Sequence, residues 1–231
     1  MGKDVIIACD FPGARECLDF LEQFKDRRPY IKIGMELYYA TGPDLVRELK
    51  ARGYRIFLDL KLHDIPNTVR RASTVLGRLG VDMLNIHAAG GSAMMAAAVE
   101  GIAQSGSGTK LIAVTQLTSI SPEVLKGELL IDKPLDMVVQ QYAKNAKAAG
   151  LAGVVCSPLE AGVVHAACGS DFLTVTPGVR FAGDEAGDQM RVTTPAMARE
   201  LGSDYIVVGR PITSAADPVA AYERCVGEFI G

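Results

Sequence analysis

Short apolar runs recur along the chain, each followed by a polar turn, a segment with helical spacing, a glycine and another apolar run. Eight such runs are present, at 5–9, 30–33, 56–61, 83–87, 111–115, 153–156, 172–176 and 205–208. They are rich in Val, Ile and Leu, the composition of parallel strands covered on both faces. Between them, Leu18, Leu21 and Phe24 fall at three-residue steps, and Leu45 and Leu49 lie four apart. That spacing lines one face of a helix. Gly53, Gly80, Gly150, Gly169 and Gly202 stand just before the next run, where glycine takes the left-handed conformation that closes a helix. Pro43-Asp44, Ser157-Pro158-Leu159-Glu160, Thr194-Pro195 and Asp217-Pro218 read as helix starts. Eight strands alternating with eight helices predict an α/β chain folded as one (β/α)8 barrel of the TIM type over residues 1–231. A doubly wound open sheet is the alternative. It calls for a glycine-rich turn of the GxGxxG kind after a strand, whereas the first run continues as Cys9-Asp10-Phe11-Pro12-Gly13.

Composition narrows the function more than the fold. Hydrophobic residues make up 48% of the 231 positions and charged residues 22%, enough for a sizeable core and too little charge for disorder. The formal net charge is −3. Without a broad basic footprint the chain is not read as a nucleic-acid binder, and an anionic ligand must be held by a few placed cations. The cysteines number five, with no CxxC pair, which predicts buried free thiols in a reducing cytosol. The N-terminus reaches Asp10 after a short apolar run, unlike a signal peptide, and no apolar stretch is long enough to span a bilayer. A soluble cytoplasmic protein is expected.

Charge interrupts the apolar runs in a pattern. In a barrel of this kind the active groups stand at the C-terminal strand ends. The first run ends at Asp10, and the second carries Lys32 between Ile31 and Ile33. In the third, Asp59 and Lys61 alternate with Leu58 and Leu60, and Asp64 follows in the loop. Alternation turns Asp59 and Lys61 to one face and the leucines to the other. The leucines should meet the helices, and the charges should enter the barrel mouth. Any one of these residues alone reads as a strand-end ion pair. Five together in a confined mouth carry desolvation and repulsion costs that chemistry tends to retain.

The segment Asp59-Leu60-Lys61-Leu62-His63-Asp64-Ile65-Pro66-Asn67-Thr68 resembles the signature of the orotidine 5'-monophosphate decarboxylases. Its DxKxxD core is shared with related sugar-phosphate enzymes, and the Ile-Pro-Asn-Thr extension is similar to the decarboxylases in particular. The resemblance covers the whole chain, through Asp10, Lys32, Thr176-Pro177-Gly178 and Val208-Gly209-Arg210-Pro211-Ile212. It implies a cofactor-free carbon–carbon lyase that converts orotidine 5'-monophosphate to UMP and CO2 in pyrimidine biosynthesis. It further implies that Lys61 donates a proton to C6 of the pyrimidine and that Asp59 lies near the departing CO2. Lys32 and Asp64 would complete the alternating charged array. Asp10 and Lys32 would contact the ribose hydroxyls. Asp64 and Thr68 would reach into a neighbouring subunit's site, making a homodimer necessary for activity.

The phosphate should supply remote binding energy. Barrels often hold phosphate near the loops after strands seven and eight. Gly209 and Arg210 end the eighth run, and arginine offers a bidentate grip on an anion; the plain alternative is a glycine turn with a surface arginine. The long polar stretch from Val179 to Val192 reads as a functional or mobile loop. The resemblance makes it a lid in which Arg180 and Gln189 contact the nucleotide. Thr118, after the fifth run, matches the family's pyrimidine-binding position, although a turn-capping hydroxyl reads as well.

Two rivals stand beside this reading. One is a metal-dependent sugar-phosphate enzyme with the same DxKxxD core, for which Glu36 lies close behind the second run; the lysines interleaved with the carboxylates argue against a cation. The other is a silent barrel that only binds a phosphorylated ligand, which would show a broken charged array. Asn85 and His87 share a face of the fourth run, and His87 reads as a structural histidine. No two histidines have metal-ligand spacing.

Overall fold

The computed structural model describes residues 3–25, 27–183 and 192–231. Among the described residues eight strands form in chain order: β1 (Asp4–Ala8), β2 (Tyr30–Gly34), β3 (Ile56–Leu62), β4 (Met83–His87), β5 (Lys110–Val114), β6 (Gly153–Val155), β7 (Leu173–Thr176) and β8 (Tyr205–Val208). Each is parallel to its neighbours, and β8 returns to β1, so the sheet closes into a (β/α)8 barrel. The strands begin and end within one residue of the apolar runs.

The helices among the described residues are α1 (Ala14–Glu22), α2 (Met35–Thr41), α3 (Pro43–Ala51), α4 (Pro66–Gly77), α5 (Gly91–Ser105), α6 (Pro122–Gly127), α7 (Leu135–Ala148), α8 (Ala161–Cys168), α9 (Pro195–Glu200), α10 (Arg210–Thr213) and α11 (Pro218–Ile230). Three of these exceed the expected eight. Helices α2, α6 and α10 are short insertions between a strand and its outer helix, too brief to show a hydrophobic period. The start signals work as expected: Thr194 and Asp217 accept hydrogen bonds from Met197 and Ala220 N–H, and Ser157 forms a reciprocal box with Glu160. Gly53, Gly80, Gly150, Gly169 and Gly202 all have positive φ.

Strand alternation sorts the interior into two shells. Ile6, Tyr30, Phe57, Met83, Ile112, Leu173 and Val207 fill the inside of the barrel. Their neighbours Ile7, Ile31, Leu58, Leu60, Leu84 and Ile86 pack outward among the helices. The N-terminal end is closed by Tyr30 and Tyr205, edge to face at 6.1 Å. The Arg55 guanidinium lies 4.8 Å over the Tyr30 ring and pairs with Asp4 at 2.6 Å. This plug leaves the opposite end for polar chemistry. Close packing of α4 on α5 steadies the segment after β3: a methyl on Gly101 would stand 2.2 Å from Arg70 O. The five cysteines are buried and free. No helix among the described residues is long and apolar enough to cross a membrane.

Candidate active site

Lys32 and Asp59 point into the barrel because their strand neighbours, Ile31, Ile33, Leu58 and Leu60, are held outside it. Register places Gly34 of β2 opposite Asp59 of β3. Across that junction the Lys32 ammonium lies 2.8 Å from Asp10 Oδ1 and 3.4 Å from Asp59 Oδ2. The Lys61 ammonium lies 2.6 Å from the other Asp59 oxygen, Oδ1. The order Asp10, Lys32, Asp59, Lys61 is therefore a continuous chain of alternating charge.

Burial is largest at its centre, where Lys32 is 7% exposed and Asp59 8%. Burial alone would push the Asp59 carboxyl up, but the Lys32 and Lys61 ammoniums outweigh it and hold the group below its ordinary value. Burial likewise pulls Lys32 down, and the carboxylates of Asp59 and Asp10 raise it above its ordinary value. The charges of Lys32 and Asp59 are thus maintained by their neighbours.

Lys61 departs from regular strand geometry. Its φ is +51°, a left-handed value uncommon for a residue with a side chain. The β3–β4 pairing runs from Leu58 with Leu84 to Leu62 with Ile86, so four steps in β3 match two in β4. This is a bulge of the kind that re-aims side chains near active sites.

Two adjoining hollows open at the C-terminal end of the barrel and share Lys32, Asp59, Lys61, Pro177 and Val207. One, of about 270 Å³, is bordered by Phe57, Val114, Gln116, Thr118, Ser119 and Val155. It offers apolar walls with an amide and hydroxyls on one side. The other, of about 630 Å³, is bordered by Asp10, Gly34, Glu36, Arg180, Gly209, Arg210 and Thr213. Two arginines, Arg180 and Arg210, are part of its border. The pair suits a ligand with a flat, partly apolar head and an anionic tail.

Most of the residues singled out in the sequence meet here: Asp10, Lys32, Asp59, Lys61, Thr118, Arg180, Gly209 and Arg210. Arg180 is buried and donates to Val179 O at 2.9 Å. Asp64 and Thr68 are exposed and line neither hollow, and Asp64 Oδ1 accepts from the Ile65 N–H at 2.7 Å. Gln189 lies outside the described residues. His87 is half-buried with its ring 5.5 Å from that of His63. No group of three or more His, Cys, Asp or Glu side chains among the described residues is arranged to hold a metal ion.

Gly34 has a role that the charge pattern did not disclose. A methyl there would stand 2.9 Å from both Asp10 Oδ1 and Lys32 Nζ, so the ion pair occupies the space of a side chain. Gln116, two residues past β5, also borders the smaller hollow; its polarity after an apolar run is the signal that the sequence carries for it.

A family model described as orotidine 5'-phosphate decarboxylase / HUMPS family matches residues 3–225. An orotidine 5'-phosphate decarboxylase of Cutibacterium acnes is 56% identical over 94% of this chain and 92% of that protein. One from Bacillus cytotoxicus is 53% identical over 100% of this chain and 99% of its own length. The crystal structure of orotidine 5'-phosphate decarboxylase from Lactobacillus acidophilus superposes with a TM-score of 0.90, at 45% identity over 99% of this chain and all of that one. With the fold, the DxKxxD strand and these likenesses in agreement, the chain belongs to the orotidine 5'-phosphate decarboxylase / HUMPS family.

Proposed function

We propose that this chain, acting as one catalytic barrel, decarboxylates orotidine 5'-monophosphate to UMP and CO2 without a cofactor. The observation that carries the reading is the chain of Asp10, Lys32, Asp59 and Lys61 between two adjoining hollows, one bordered by arginines and the other by apolar walls. The pyrimidine occupies the apolar hollow, with Thr118 reading its edge. Asp10 and Lys32 meet the ribose, and Arg180, Gly209 and Arg210 meet the phosphate. Gln189, from the segment after Arg180, bridges phosphate and base.

The chemistry follows from charge. The bond from C6 to the carboxylate breaks, CO2 leaves, and the electron pair stays on C6. An ammonium beside C6 stabilises that charge as it develops and then supplies the proton, leaving an amine that solvent reprotonates. Lys61 fills this role, with Asp59, 2.6 Å from its ammonium, keeping it aimed. Enzymes lower barriers by about 8–23 kcal/mol, more than one lysine supplies. Binding energy from the phosphate therefore contributes to organising the reacting end.

We further propose a homodimer. Asp64 and Thr68 stand exposed at the start of α4, outside the cleft of their own chain. A two-fold partner would receive them and gain the last carboxylate of the array. The buried free thiols suit a reducing cytoplasm.

The test is loss of orotidine 5'-monophosphate by ultraviolet absorbance, with purified protein in excess EDTA. Stoichiometric formation of UMP is the expected result. Loss of activity under EDTA with recovery on added Mg2+ would favour a metal-dependent relative using Glu36, which also borders the cleft.

A further inference from the structure

Asn85 belongs to β4 and is fully buried. Its strand neighbours Leu84 and Ile86 pack outward, so its amide faces the barrel interior beside β3. Two hydrogen bonds occupy it. The backbone N–H of Lys61 donates to Asn85 Oδ1 at 2.8 Å, and Asn85 Nδ2 donates to Asp59 Oδ1 at 2.6 Å. The amide orientation is dictated by its partners. A backbone N–H can only donate and a carboxylate can only accept, so oxygen faces Lys61 and nitrogen faces Asp59.

Both contacts fall on the bulge. Regular continuation from the Leu58–Leu84 pair would set Asp59 opposite Asn85 and give Lys61 an ordinary ladder position. Instead β3 carries two extra residues before Leu62 meets Ile86, and Lys61 takes φ +51°. A partly buried N–H turned out of the ladder needs another acceptor. The Asn85 carbonyl is that acceptor. The same side chain then reaches the carboxylate oxygen on which the Lys61 ammonium rests at 2.6 Å. One amide thus ties the backbone of Lys61 to the carboxylate that its own side chain contacts.

We infer that Asn85 is a positioning residue for the Asp59–Lys61 pair, holding the left-handed turn that brings the Lys61 ammonium back onto Asp59. The inference deepens the decarboxylase reading and rests on it for its kinetic consequence. The groups that face this amide are Asp59 and Lys61 of β3, with Lys32 of β2 on the far oxygen of Asp59 and the half-buried His87 next toward the mouth along β4. A residue that only repaired a strand irregularity would affect stability and leave the chemistry alone. A positioning residue affects turnover more than nucleotide binding, since small misplacements at a reacting centre cost about 10²-fold.

Two variants separate these roles. Asn85→Ala removes both hydrogen bonds. Turnover should fall by about 10²-fold, while the UMP dissociation constant, which depends on ribose and phosphate contacts, stays within a few-fold. Asn85→Asp keeps an oxygen for the Lys61 N–H. When protonated, the introduced carboxyl also donates to Asp59, and when ionised it repels it. Its turnover relative to the parent should therefore rise as pH falls, a recovery that the alanine variant lacks. Independently of turnover, carboxyl carbon NMR should show Asp59 titrating at higher pH in Asn85→Ala than in the parent. Absence of turnover in the parent would sink the decarboxylase reading, and the NMR comparison would still judge the positioning role. An active parent with an equally active alanine variant, or an unmoved Asp59 titration, overturns the inference. So does a parallel loss of turnover, UMP affinity and thermal midpoint in both variants.

Discussion

The Lys32 ammonium stands 3.4 Å from Asp59 Oδ2, with both side chains buried. A carboxylate so placed is held ionised by its cations, and the folded state favours its charged form. The group's folded-state value is lowered, so its contribution to stability is present above the unfolded value of about 3.9 and is lost as pH falls through the folded one. Asp59→Asn removes that dependence. At neutral pH the variant should be less stable by roughly 3 kcal/mol, the scale for breaking a buried pair. Urea unfolding at a series of pH values should show this gap closing below about pH 4. A gap that stays constant down to pH 2.5 would contradict the pairing.

Removing Lys61 should separate chemistry from folding. Its side chain is partly exposed, and Asp59 retains Lys32 as a partner. Lys61→Ala keeps the same left-handed backbone, so the strain of about 1–2 kcal/mol that a side chain meets there is unchanged. Turnover should drop by about 10⁴-fold or more, the loss of a proton donor together with its electrostatic role. The thermal midpoint should move by only a few degrees. A variant that keeps even a tenth of the parent rate would disqualify Lys61 as the donor.

Gly34→Ala tests whether the cleft is as closely fitted as it looks. The backbone there is ordinary, with φ −88°, so a side chain adds no conformational strain. Its methyl would instead come 2.9 Å from the charged ends of Asp10 and Lys32, and both must shift. Calorimetry with UMP should show at least a tenfold weaker affinity with near-parent stability. Parent-like affinity would mean that the Asp10–Lys32 pair has no part in holding the ribose.

These residues also show what was legible in the sequence. Strand alternation exposed Lys32, Asp59 and Lys61 because each breaks an apolar period at a fixed parity, and covered leucines and isoleucines fix which face is inside. The barrel itself followed from eight repeats of that rhythm. The bulge at Lys61 left no such mark. A left-handed φ is written in sequence when glycine carries it, and lysine does not advertise it. Asn85 was visible as a polar residue on the inner face of β4, but its partners lie across a register shift that alternation cannot count. Gly34 is needed because of a distance between two other side chains, which no local pattern encodes. Helices α2, α6 and α10 fell below the length at which a period can be read.

The proposed phosphate grip calls for a substrate comparison. Arg210 borders the wider hollow together with Arg180 and Gly209. A charge-assisted hydrogen bond is worth about 1.5–3 kcal/mol, so Arg210→Ala should lower kcat/KM for orotidine 5'-monophosphate by about 10–100-fold. Orotidine, which lacks the phosphate, should be turned over equally by parent and variant. An equal loss on both substrates would place Arg210 in the general integrity of the barrel mouth rather than in the phosphate grip.

The proposed sharing of the site between subunits gives the most discriminating experiment, because two dead enzymes are predicted to make a live one. Asp64 and Thr68 stand outside the cleft of their own chain, so Asp64→Ala should inactivate the partner's site and leave its own Lys61 intact. Lys61→Ala does the reverse. When the two variants exchange subunits, half of the dimers become hybrids. In each hybrid one site has lost both groups, and the other combines Lys61 of one chain with Asp64 of its two-fold mate. About a quarter of all sites should then work, a recovery easily measured above two inactive parents. Differently tagged chains allow the exchange to be verified by pull-down before the assay. Confirmed hybrids without activity would mean that Asp64 serves its own chain, and the exposed start of α4 would need another explanation.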